Sequence, residues 1–61
     1  ENLNENAKLI LAALQNSNNP LSIDNIIEIT KLQAHIVSQE LTHLIFAGRI
    51  KEKTGKFLLV K

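Results

Sequence analysis

The stretch from Leu21 to Gly48 constrains this chain more than any other. Ser22 stands where a helix wants an N-cap, and Ile23, Ile26 and Ile27 follow it at helical spacing. Thr30-Lys31 interrupts the pattern, and Leu32 fits the corner. A second helix runs from about Ala34, with Val37, Leu41 and Leu44 on one face. Gly48 comes just past its last turn, where a residue that tolerates positive φ is favoured. A short helix, a tight turn and a longer helix make a helix-turn-helix pattern, whose second helix often enters a DNA groove.

The flanks build around that pair. Residues 2–15 read as an earlier helix, with Leu3, Ala7, Ile10 and Leu14 on one face and Leu11 beside them. Asn2 followed by Glu5 has the spacing of a capping box. Asn16-Ser17-Asn18-Asn19-Pro20 is a connecting loop by composition. Leu21, placed after Pro20, is expected to be extended and to add a one- or two-residue strand. After Gly48, two strand-like runs, 49–53 and 56–60, flank Thr54-Gly55 as a β-hairpin with Ile50, Phe57 and Leu59 turned inward. Leu14, Ile27, Leu41 and Leu44 are the expected centre of the core. The predicted architecture is mainly α with a small β-hairpin: a winged helix-turn-helix of three helices and a two- to three-stranded antiparallel sheet. The 61 residues make one small domain, and a chain starting at Glu1 without methionine reads as the C-terminal piece of a larger protein.

The chain has no cysteine, so neither a disulfide nor a thiolate zinc site can staple it. With 44% hydrophobic residues and only Phe46 and Phe57 as aromatics, its core must be aliphatic. Net charge is only +1, yet the distribution is uneven. Arg49, Lys51, Lys53, Lys56 and Lys61 face a single acid, Glu52, in the last quarter of the chain. No apolar run reaches membrane-spanning length and no signal peptide is visible, so a cytoplasmic location without membrane contact is expected.

Catalysis is not expected. There is no cysteine nucleophile, no Gly-rich phosphate loop and no evident Ser-His-Asp set, and nothing calls for a cofactor. Glu40 and His43 form a Glu-x-x-His pair, but di-iron sites need a matching second pair that this chain lacks. His35 and His43 are ~12 Å apart along a helix, too far to share one ion, so no metal is expected. The outward face of the second helix-turn-helix helix carries His35, Gln39, Thr42 and Phe46, flanked by Ser38 and His43. Gln and Thr can read base edges, and His can contact phosphate. No Lys or Arg lies between Leu32 and Gly48, which argues against tight groove binding. A solvated polar face and a weak DNA contact both remain open there. Phe46, so near the helix end, is expected to fold under the hairpin; an exposed Phe46 would mark a partner surface. Arg49, Lys51 and Lys53 share a strand face by period-two alternation, with Lys56 just past the turn. They suit phosphate contact, and equally the guarding of an edge strand against aggregation.

Read as one string, Pro20-Leu21-Ser22-Ile23-Asp24, Leu32, the run from Leu41 through Leu44 and Gly48 to Ile50, and Gly55-Lys56-Phe57 resemble the C-terminal winged-helix domain of the DNA-processing protein A (DprA/Smf) family. The resemblance spans roughly residues 7–60. Lys31 stands where that family commonly has Gly, and Ile45 where it commonly has an acid. The resemblance implies a parent protein that binds single-stranded DNA through a separate Rossmann-like domain, protects incoming DNA in natural transformation and helps load the recombinase RecA. The winged helix would be its accessory module. Weak, largely sequence-independent DNA binding is the expected role, through Arg49, Lys51, Lys53 and Lys56 with His35, Gln39, Thr42 and His43. The alternatives are a module for RecA contact or self-association without DNA affinity, and the DNA-binding domain of a small transcription regulator.

Overall fold

Helix α1 begins one residue after Asn4, whose side chain accepts a hydrogen bond from the Ala7 N–H at 2.8 Å and so caps the first turn. The computed structural model describes residues 4–60. The cap is therefore Asn4 rather than Asn2, and Asn2 and Leu3 lie outside the described residues. α1 spans Glu5–Gln15 and buries Ala7, Ile10, Ala13 and Leu14. The loop through Pro20 leads to β1, Leu21–Ser22, the two-residue strand expected from the sequence.

Helix α2, Ile23–Thr30, starts from a true capping box: Ser22 and Asn25 exchange side-chain to backbone hydrogen bonds. It stops at Lys31, whose backbone is left-handed (φ 64°, ψ 18°) and whose N–H bonds the Ile27 carbonyl. The Thr30 hydroxyl donates to the Ile26 carbonyl and accepts from the Leu32 N–H, which fixes the corner. Helix α3, Ala34–Phe46, follows. Past its end the Gly48 N–H bonds Ile45 and the Arg49 N–H bonds Leu44, with Gly48 at φ 76°. Those two bonds are the Schellman arrangement, and the Gly48 position requires the conformational freedom of glycine.

Strands β2, Ile50–Lys53, and β3, Lys56–Leu59, form the hairpin. Both residues of its turn, Thr54 and Gly55, have positive φ (51° and 78°), as a type I′ turn demands. The sheet is antiparallel in the order β1-β3-β2. Ile50 faces Leu59, Glu52 faces Phe57, and Phe57 also faces Leu21, so these share the side turned to the helices. Lys51, Leu58, Lys53, Lys56 and Ser22 share the other side.

One apolar cluster joins all three helices to the sheet, with Ile10, Ile26, Val37, Leu44 and Ile50 at its centre. Leu14 and Leu41 belong to it as expected. Ile27 does not: Ile26 is fully buried, and Ile27 is only packed against the cluster from its side. The two are adjacent on the helix, and the axial rotation of α2 between α1 and α3 selects one of them. Phe57, Leu59 and Leu32 are likewise half-buried against the core. Phe46 departs further from expectation. It is 84% exposed and does not fold under the hairpin, because two residues past the inward Leu44 it lies on the opposite side of α3. Among the described residues no helix is long and apolar enough to cross a membrane.

Candidate nucleic-acid interface

Helix α3 presents two chemically different sides. Val37, Glu40, Leu41 and Leu44 point inward. His35, Ser38, Gln39, Thr42, His43, Ile45 and Phe46 are exposed, so the expected outward face is present in full. It holds no formal positive charge from Lys or Arg. The Thr42 hydroxyl donates to the Ser38 carbonyl at 3.1 Å, which leaves Thr42 only its acceptor capacity toward a base edge. The Gln39 amide offers both donors and an acceptor, the combination that can pair with an adenine edge.

Glu40 and His43 differ in their placement on α3. Glu40 is buried, 7% exposed, at one of the four inward positions of α3. Its Oε2 accepts from Asn4 Nδ2 at 2.9 Å, and its Oε1 lies 3.9 Å from His43 Nδ1. A buried carboxylate needs such partners, since an unpaired one is costly. Asn4 thus does two jobs: its oxygen caps α1, and its amide holds Glu40. Sequence reasoning missed this tie. The available signal was the phase of Glu40, which shares the inward stripe of Val37, Leu41 and Leu44.

The cations expected to contact phosphate are on the hairpin and just before it. Arg49, Lys51, Lys53 and Lys56 are all exposed. Arg49 precedes β2, with its backbone tied to Leu44 and Val60. Lys51 and Lys53 lie on the outer side of the sheet, and Lys56 of the central strand stands directly opposite Lys53. The register therefore gathers three lysines on one sheet face. No ion pair to any of them is present among the described residues. Such a face can neutralise phosphates through long, mobile ammonium groups without reading bases. A groove of about 370 Å³ between the Ser17–Pro20 loop and β3 has no charged residue in its lining.

Comparison with known proteins bears on the fold. A family model described as the DprA winged helix domain matches residues 1–56. No curated protein and no solved structure matches the chain.

Proposed function

The chain belongs to the DprA winged-helix domain family, and from that premise we propose that it is an accessory, non-enzymatic DNA-binding module of a DNA-processing and recombination-mediator protein acting in natural transformation. It works in the cytoplasm, without a cofactor, and grips duplex DNA weakly by its phosphates. The observation that carries this reading is the single exposed face on which Lys51, Lys53 and Lys56 converge without a carboxylate partner. Electrostatic contact of that kind supplies most sequence-independent affinity.

The test is a titration of wild type and the Lys51→Ala/Lys53→Ala/Lys56→Ala variant against one short duplex at several salt concentrations. The variant should bind every sequence more weakly. Its plot of log affinity against log salt should flatten by up to ~3 units, at ~0.9 per lost phosphate contact. Folding stability should not fall, because exposed lysines seldom support the fold. Parallel salt slopes would remove the hairpin from the interface.

A second reading has its own support in Phe46. A phenylalanine 84% exposed beside exposed Ile45, at the end of a face without lysine or arginine, suits a protein partner better than a polyanion. In that reading the module serves RecA contact or self-association. It takes first place if wild type shows no duplex binding at low salt, and Phe46→Ala together with His35→Ala and Gln39→Ala then tests the α3 face.

A further inference from the structure

Lys53 and Lys56 are the last residues of the hairpin ladder, directly opposite each other on the outer face of the sheet. The Val60 N–H donates to the Arg49 carbonyl, and hydrogen-bonded pairs alternate along an antiparallel ladder. Counting from that bond in steps of two makes Lys53 and Lys56 a hydrogen-bonded pair, with Cβ atoms about 5 Å apart. Like charges in such a position oppose the pairing. The row offers no relief: on the far side of Lys56 stands Ser22, whose hydroxyl is already bonded to Asn25. The hairpin's one acid, Glu52, pairs with Phe57 and so belongs to the opposite face. Lys51 adds a third positive charge two residues along the same face. The type I′ turn holds the two lysines at this spacing, since a two-residue turn allows the strands no slip.

We infer that Lys53 and Lys56 form a two-lysine seat for one backbone phosphate of a nucleic acid, and that their repulsion holds the free hairpin below its full stability until the phosphate is bound. The inference rests on the DNA-binding reading above and deepens it. The contact is one phosphodiester shared between two facing ammonium groups, not a set of independent surface lysines. Binding and hairpin stability are then linked: whatever relieves the repulsion also stabilises the fold.

Thermal melts at matched ionic strength test this, with sodium chloride alone, with inorganic pyrophosphate, and with a short duplex. Lys53→Glu places opposite charges across the ladder. It should raise the melting temperature at low salt by about 2–6 °C without any ligand. It should also lose most of the shift that the duplex gives wild type. Lys56→Glu should behave the same way, whereas Lys53→Glu/Lys56→Glu restores a like-charge pair and should lose the gain. Lys51→Ala, outside the pair, should keep most of the duplex-induced shift. A Lys53→Glu variant that melts no higher than wild type overturns the repulsion, and one that keeps the full duplex shift overturns the seat. A pyrophosphate shift as large as that of the duplex would assign the seat to free phosphate and overturn its nucleic-acid occupant. If these outcomes fail while the triple alanine variant still loses duplex binding, the seat falls and the broader hairpin reading stands. No binding by wild type at low salt removes both.

Discussion

Lys31 occupies a left-handed backbone conformation that residues with a Cβ enter at a cost, and it does so at the corner on which the helix-turn-helix depends. Thr54 does the same in the hairpin turn, and it is β-branched, which makes positive φ less favourable still. Both positions suit a residue of greater freedom. Lys31→Gly should stabilise the fold by ~0.5–1 kcal/mol, and Thr54→Asn by a similar amount, because the turn conformation then costs less. Urea midpoints of the two variants check this. A midpoint that moves down for Lys31→Gly would mean that the lysine side chain contributes more than its backbone costs. The dihedral angles at Lys31 lie where glycine alone enters without a Cβ penalty.

Short helices in a domain of 61 residues hold together through what joins them, and the Asn4–Glu40 bond joins the start of α1 to the middle of α3. Asn4→Ala removes a helix cap and the amide that satisfies a buried carboxylate. The expected loss is about 2 kcal/mol, read from denaturant unfolding. Asn4→Asp separates the two roles. Aspartate caps a helix as well as asparagine does, so a pure cap would leave stability unchanged. Beside Glu40 it sets two carboxylates together and removes the donor, so the variant should still be clearly less stable than wild type. Equal stability of wild type and Asn4→Asp would mean that the bond to Glu40 contributes nothing. Nothing in the spacing of α1 or α3 alone reveals this link, since it spans 36 residues of sequence.

Across the whole molecule, charge and shape have been divided between elements. The hairpin carries lysines on its outer face, and the outer face of α3 carries polar groups without lysine or arginine, ending in Phe46. Without an arginine or lysine on α3, the bidentate guanine contact that most often gives sequence specificity has no donor there. A selection from random duplexes should therefore return no sharp consensus. One well-defined site would favour the transcription-regulator reading instead and make the α3 face the principal contact.

The element order, the hairpin turn, the cap at Ser22 and the glycine after α3 were determined by the sequence itself. Periods of 3.6 and 2, capping side chains and turn residues act over a few positions, and local rules read them directly. The lysines on the hairpin followed from the same alternation. Only the tertiary structure decided that Ile26 rather than Ile27 is buried, that Asn4 is the partner of Glu40, and that Phe46 stays outside. Each of these depends on how one element is rotated or registered against another. A helix can turn about its axis by a fraction of a residue step without changing its own pattern, so its neighbours, not its sequence period, choose which side chain fills the junction.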